Sequence, residues 1–243
     1  MKSIATISSR FASVLLIGSC GLLALADEPK KIAAEESVKP GINKNFLDPK
    51  LDIGEWVNRF EVESREVFSS RVQIMKALAL KEGNTVADIG AGTGLFMVAM
   101  SNAVAEKGKV YSVDISEAFI KHLKQRVAEL KLSNVEPVLC GQNNVKLPPV
   151  SVDVAFVCDT YHHFEFPQPT LKSIYDALKP GGRFVVVDFE RIPGESSEWI
   201  LGHVRANKET FAAEIEAAGF SNKRELEVPG LKENYCLEFR KPE

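Results

Sequence analysis

The residues with the clearest chemical potential fall in three short stretches, each at the end of an apolar run. The first is VADIGAGTG, Val86 to Gly94, where Asp88 is followed by Gly90, Gly92 and Gly94. Glycines at such a turn permit tight backbone geometry and let a ligand approach the start of the next helix. A dinucleotide pyrophosphate calls for G-x-G-x-x-G. The pattern here is G-x-G-x-G with an acid two residues ahead, which suits a cationic ammonium and would repel a pyrophosphate. The same glycines also fit a tight turn that binds nothing. The second stretch is VYSVDIS, Val110 to Ser116, in which Asp114 stands twenty residues after Gly94 with Ile115 beside it. An acid there can accept both hydroxyls of a ribose, and it also suits the cap of a helix opening at Glu117.

The third stretch is Cys158-Asp159-Thr160-Tyr161-His162-His163-Phe164. An acid, a phenol and two imidazoles at the mouth of a strand make a polar cluster, and Asp159, Tyr161 and His162 are its candidate catalytic residues. An imidazole with an ordinary pKa of about 6.5 can take the proton of a hydroxyl or an amine. Packing and loop orientation are the other uses of these rings. Asp159, His162, Asp188 and His203 could converge on a metal, but they form no compact ligand motif, so no metal is expected.

Taken in order and spacing, VADIGAGTG, VYSVDIS, SVDVAFVCDTYHHF and LKPGGRFVVVDF resemble the class I methyltransferases that use S-adenosylmethionine (SAM), over about residues 81–240. They look closest to the small-molecule and lipid or quinone type. The resemblance implies SAM as cofactor, with Asp88 toward its methionine ammonium, directly or through water, and Asp114 on its ribose. It also implies that the loop after the third strand contacts adenine. Gln142 would bond the adenine amino group and the Asn143 backbone a ring nitrogen, although Gly141-Gln142-Asn143 stands where such enzymes often carry Gly-Asp-Ala. The implied reaction moves a methyl group to an O, N, C or S atom of a small-molecule acceptor. Two other classes share some of these features. A SAM-binding protein without catalysis would keep the same cofactor residues. An NAD-dependent oxidoreductase would need a different glycine spacing and a Tyr-x-x-x-Lys pair, which Tyr161 does not begin.

The elements that position these residues alternate. Strands are predicted at Thr85–Ile89, Lys109–Asp114, Asn134–Leu139, Val152–Cys158 and Arg183–Asp188, and helices at Leu95–Ala105, Glu117–Leu130, Pro169–Leu178 and Lys208–Ala218. Alternation of this kind implies right-handed crossovers and a parallel sheet covered on both faces. Lys223–Val228 and Asn234–Arg240 follow as strands joined at Pro229-Gly230, too close to be anything but antiparallel. The expected fold is α/β, a Rossmann-like doubly wound sheet of seven strands, mostly parallel with an antiparallel C-terminal hairpin. Apolar residues at helical spacing over residues 53–80 predict one broken helix or two adjacent ones, a cap over the cofactor pocket. The long connection from Phe189 to Asn207 reads as a lid, with His203 and Arg205 its candidate substrate contacts.

Composition sets the outer limits. The chain has 243 residues, 45% of them hydrophobic, enough for one sizeable core. A net charge of −3 without any basic block argues against nucleic acid as a partner. Residues 1–26 carry only Lys2 and Arg10 as charges, then an apolar run and Ala24-Leu25-Ala26, the pattern of a secretory signal peptide cleaved before Asp27. That reading predicts an exported protein with no stable membrane span after processing. A lipoprotein box ending at Cys20, an organelle transit peptide and an uncleaved anchor are the alternatives. Residues 27–52, with Pro29 and Pro40, read as a linker, and residues 81–243 as the cofactor-binding domain. The remaining cysteines, Cys140, Cys158 and Cys236, are widely spaced without a CxxC and predict neither a disulfide framework nor a zinc motif.

Overall fold

The computed structural model describes residue 1 and residues 36–243, so the predicted signal segment at 1–26 lies outside the described residues. Three short helices come first, α1 (Ile53–Phe60), α2 (Glu66–Ser69) and α3 (Arg71–Leu78). Asp52 starts α1 by accepting the Gly54 N–H at 2.7 Å, and Ala79 ends α3 in the left-handed region at φ +44°. The strands are β1 (Thr85–Ile89), β2 (Lys109–Asp114), β3 (Val135–Leu139), β4 (Val152–Cys158), β5 (Leu178–Phe189), β6 (Ser221–Glu225) and β7 (Asn234–Arg240). Between them lie α4 (Met97–Val104), α5 (Glu117–Leu130), α6 (Pro167–Ala177), α7 (Glu198–His203) and α8 (Lys208–Ala217), with a 3₁₀ turn at Tyr161–His163.

The strands form one sheet in the order β3-β2-β1-β4-β5-β7-β6. All pairings from β3 to β5 are parallel, and β7 is antiparallel to both β5 and β6. The central strands bury nearly every residue because helices cover both faces. On one face Val86, Phe156, Val185 and Val187 pack with Ile74, Leu78, Met97 and Met100 of α3 and α4. On the other, Ala155, Val157 and Val186 pack with Leu171, Ile174, Phe211 and Ile215 of α6 and α8. Each Val, Leu, Ile, Met or Phe among them contributes roughly 1.5–3 kcal/mol on full burial. A Phe156→Ala change, at a ring with no exposure and an edge contact to Phe96, would cost about 3–5 kcal/mol.

Two predicted boundaries differ from the structure for identifiable reasons. LKPGG does not stop short of the fifth strand. Leu178 already pairs with Val152 and Arg183 with Val154, so Lys179–Gly182 form an outward bulge within β5. The sixth strand begins two residues early, at Ser221 rather than Lys223, and ends at Glu225. Apolar alternation placed it over Leu226 and Val228, but Val228 turns into the core beside α3 and α4. The edge strand that remains is polar and exposed, a composition that discourages further strand pairing. The N-terminal helical stretch holds three helices, broken at residues 61–65 and at Ser70.

Beyond β1 the chain crosses to β2 and β3 on one side, and beyond β4 it crosses to β5 on the other. The carboxyl ends of β1 and β4 therefore flank the crevice at which open α/β sheets bind their ligands. Among the described residues no helix is long and apolar enough to cross a membrane.

Candidate active site

A cavity of about 580 Å³ opens at that crevice. Its floor is the turn after β1. Gly90 has φ +79°, and a Cβ there would come within 2.3 Å of the Thr160 side chain, so the turn is closed to any larger residue. Asp88 lies in β1, is 3% exposed, and borders the cavity with an Oδ2 that has no hydrogen-bond partner. Burial, and then the neighbouring Asp114 charge, push its pKa up to about 7. Asp114 ends β2, where its Oδ2 accepts the Gly92 N–H and its Oδ1 the Ser116 N–H, both at 2.8 Å. Burial raises it to about 6 against the pull of these donors. The cap of α5 is Ser116, not Asp114, whose carboxylate instead ties the glycine turn to the second strand. Ile115 and Phe119 line the wall beside it.

Of the other predicted cofactor residues, Gly92 and Gln142 also line the cavity. Gly94 and Asn143 do not. Gly94, at φ +81°, stands where a Cβ would meet Leu123 Cδ2 at 2.7 Å, so it admits α5 against the turn rather than a ligand. Asn143 is exposed beyond the rim because the loop turns back there, with the Gly141 N–H bonded to the Asn144 carbonyl.

The opposite wall is built by the segment after β4. His162 is 2% exposed and its Nδ1 lies 2.7 Å from Asp188 Oδ1, while Asp188 Oδ2 accepts the His162 backbone N–H at 3.1 Å. Asp188 also accepts the Phe189 N–H at 2.7 Å, so its buried carboxylate is fixed from three sides. The carboxylate selects the Nδ1–H tautomer of His162 and leaves Nε2 as the lone-pair nitrogen. His163 and His203 stand beside it, with their Nε2 atoms 3.3 Å apart. Burial and the neighbouring imidazoles lower His163 to about 2 and His203 to about 4. Trp199 stacks on His203 at 4.7 Å between ring centroids.

Three sequence expectations on this wall change. Tyr161 is not at the site. It is fully buried behind the wall between Phe164 and Phe211, and its hydroxyl donates to Glu214 at 3.0 Å. Arg205 makes a two-pronged pair with the same Glu214, at 2.7 and 2.6 Å, so it braces α8 rather than meeting a substrate. The reason is the 3₁₀ turn, which sends residue 161 and residue 162 to opposite sides. Asp159 borders the cavity, but both its oxygens are engaged, by Arg65 and by Asn234 Nδ2 at 2.6 Å. Its φ of +47° is held by those contacts.

The roof extends further toward the N-terminus than the predicted cap. Phe46, Trp56, Phe60 and Arg65 cover the cavity, and Phe46 meets the His163 edge at 5.1 Å. Glu66 fastens this roof to the sheet by accepting the backbone N–H groups of Lys232, Glu233 and Asn234 at 2.6–2.9 Å. Asn43, in the stretch read as linker, donates to the His163 carbonyl at 3.0 Å, and the Val38 N–H donates to the Glu165 carbonyl at 2.9 Å. The helical cap predicted over residues 53–80 supplies Trp56, Phe60 and Arg65, whereas Asn43 and Phe46 come from the stretch read as linker.

The donor set fits SAM. An unpartnered carboxylate oxygen on a residue lining the cavity matches an ammonium, and a second buried acid on the same lining matches ribose hydroxyls. Comparison with known proteins agrees. A family model described as a methyltransferase domain matches residues 80–234. The ubiquinone/menaquinone biosynthesis C-methyltransferase UbiE of Escherichia fergusonii is 30% identical over 113 residues, 46% of this chain and 45% of that protein. The chain thus matches less than half the length of this curated relative. A SAM-dependent methyltransferase of Aquifex aeolicus is 28% identical with a TM-score of 0.65, covering 79% of this chain and 98% of that one. Haemonchus contortus phosphoethanolamine N-methyltransferase 2, in complex with SAM, shares the fold at 16% identity and a TM-score of 0.59, over 80% of this chain and 61% of its own. The chain belongs to the methyltransferase-domain family and carries the class I SAM-dependent methyltransferase fold.

Proposed function

We propose that the protein methylates a small, largely apolar molecule that enters between the aromatic roof and the histidine wall. One observation carries this reading: a single cavity joins the Asp88–Asp114 pocket to His162. Asp88 and Asp114 hold the ammonium and ribose of SAM, and Gln142 borders the adenine side. When bound, SAM supplies an electrophilic methyl carbon on a sulfonium centre. The chain's own work is positioning, since in-line approach of the two reactants provides most of the acceleration. Phe46, Trp56, Phe60 and Phe164 supply flat apolar surface for the acceptor and exclude water. His162, its ring fixed by Asp188, presents Nε2 to an acceptor O–H, N–H or S–H. The quinone chemistry in the name of the UbiE relatives is consistent with a flat acceptor ring.

The test is production of S-adenosylhomocysteine (SAH) from SAM by the full chain over a panel of quinols, phenols, amines and thiols. One class should be turned over, with the product carrying the methyl group. Binding of SAH without turnover of any class, in a protein whose aromatic roof is intact, would leave a SAM-binding protein instead.

From residues 1–26 we also infer export with cleavage after Ala26. The intact mass of protein from its native host should correspond to a chain starting at Asp27. A lipid-bearing N-terminus at Cys20 or a retained Met1 would contradict this.

A further inference from the structure

We propose that His162, His163 and His203 form a binding site for a divalent transition metal, zinc by its donor set, with one coordination position open to the cavity. One ligand nitrogen from each of the three rings lies within 4.8 Å of the others, and all three residues line the cavity. The closest pair, His163 Nε2 and His203 Nε2, is 3.3 Å apart. Two imidazole nitrogens at about 2.0–2.1 Å from a tetrahedral zinc stand roughly 3.3–3.4 Å from one another. The pair is thus already at ligand spacing, and a small ring movement brings in the third nitrogen.

The surroundings are those of a ligand set. Asp188 takes the Nδ1–H of His162 at 2.7 Å, the outer-shell carboxylate that commonly orients a metal-bound imidazole and raises its basicity. The His163 ring is held edge-on by Phe46, and its backbone N–H donates to the Thr160 carbonyl at 2.9 Å. Trp199 stacks on His203 and fixes its plane. Two cations bear on the rings, Lys39, whose ammonium donates to the carbonyls of Gly202 and His203, and Arg59, whose guanidinium lies over Trp56 at 5.0 Å. Three imidazoles without a carboxylate in the inner set suit zinc over magnesium or calcium. Three protein ligands and one open position are the pattern of catalytic rather than structural zinc.

The placement also gives the metal a task. His162 and His163 belong to the turn after β4 and His203 to the last turn of α7, so a shared ion pins the connection after β5 over the crevice. The open position faces the space assigned to the acceptor; this part deepens the methyl-transfer reading and rests on it, whereas the metal site does not. With the metal bound, His162 Nε2 is a ligand and no longer a base, so a hydroxyl or thiol of the acceptor bound at the open position gives its proton to water and is held as the anion. Its lone pair then forms the bond to the methyl carbon as the carbon–sulfonium bond breaks, the electron pair staying on the sulfur of SAH.

The test is Co²⁺ titration of the full chain freed of metal by a chelator, followed by visible absorption, beside calorimetric titration of the same samples with SAH. The wild type should take up one equivalent with the intense d–d bands of a four- or five-coordinate site. His203→Gln and His163→Gln, separately, should weaken Co²⁺ by more than about 100-fold, beyond the range for loss of an outer-shell partner. Their SAH affinity should stay at the wild-type value, which also certifies folding. No Co²⁺ uptake by folded wild type would mean a hydrogen-bonded imidazole pair only, and uptake undiminished in both variants would place the ion elsewhere. Either result overturns the site. Co²⁺ uptake without SAH binding would uphold the metal and remove methyl transfer.

Discussion

The two halves of the cavity are made in opposite ways. The cofactor half is local: Asp88, Gly90, Gly92 and Asp114 come from two adjacent strands and the turn after the first, tied by the Gly90 and Ala91 N–H groups on the Val113 carbonyl and the Gly92 N–H on Asp114. The acceptor half is assembled from four distant places. His162 follows β4, Asp188 lies one residue before the end of β5, His203 ends α7, and the roof comes from residues 42–67. A local motif can hold a cofactor whatever covers it. An acceptor site built from separate segments can change its shape without disturbing the cofactor, which is how one fold serves many substrates.

The largest test of this division is His162→Ala. Turnover should fall about 10²–10⁴-fold, the usual range for a group acting on the acceptor's proton or its position. SAH affinity should hardly move. A variant with full turnover per folded molecule would leave His162 a packing residue.

Next is the seam between the halves. Arg65→Ala leaves Asp159, whose side chain is 5% exposed, with Asn234 as its remaining partner. Arg65 itself is a quarter exposed, which tempers the loss to about 1–3 kcal/mol of stability. Acceptor KM should rise with it, because the roof is fastened through this pair and through Glu66. An unchanged KM in thermally weakened protein would detach the roof from acceptor binding.

Within the glycine turn, Gly94→Ala should lower stability by about 1–3 kcal/mol by overpacking Leu123 and straining a positive φ, with SAH affinity of the folded protein kept. If affinity falls more than stability, Gly94 belongs to the cofactor site after all.

The acids of the cofactor half give a pH signature. Asp88 in the fold is raised from 3.8 to about 7, and Asp114 moves in the same direction to about 6. The folded apoprotein therefore holds more protons than the unfolded chain between about pH 4 and pH 7 and loses stability as pH rises through that window. An ammonium in the pocket favours the ionised Asp88, so SAH should bind more tightly as pH rises. Melting temperatures with and without SAH at about pH 5 and about pH 8 check the sign. A larger SAH-induced shift at the acid end would mean that Asp88 does not meet the ammonium. The smallest effect belongs to Tyr161→Phe, which removes one hydrogen bond to Glu214. About 1 kcal/mol of stability should go with it, and turnover per folded molecule should be unchanged.

The same contrast governs what the sequence revealed. Strands β1, β2, β4 and β7 and helix α5 were readable to the residue, because continuous apolar runs end at acids, caps and glycines. Asp88, Gly90, Gly92, Asp114 and Ile115 stand at those ends and line the cavity, whereas Gly94 and Asn143, predicted beside them, do not. Tyr161 and His162 are neighbours in one polar run, and nothing in composition tells which of them a 3₁₀ turn aims inward. Arg205 and Glu214 look like solvent-facing charges until α8 packs them together. His203 reached the candidate lid by its loop, but its meeting with His163 depends on the path after β5, which periodicity does not encode. Asn43 and Phe46 sat in a proline-bearing stretch without a period, and only its docking on the Tyr161–His163 turn shows their use.

Calorimetric titration of SAH into the wild type, Asp114→Ala and His162→Ala bears most directly on the division of the cavity. The wild type should bind in the micromolar range, about 1 μM to 1 mM being usual for enzyme substrates, and should not bind NAD. Asp114→Ala should lose ~1–3 kcal/mol, roughly 5–150-fold, and His162→Ala should match the wild type. Affinity kept in Asp114→Ala but lost in His162→Ala would put the cofactor on the histidine wall and contradict the assignment of both halves.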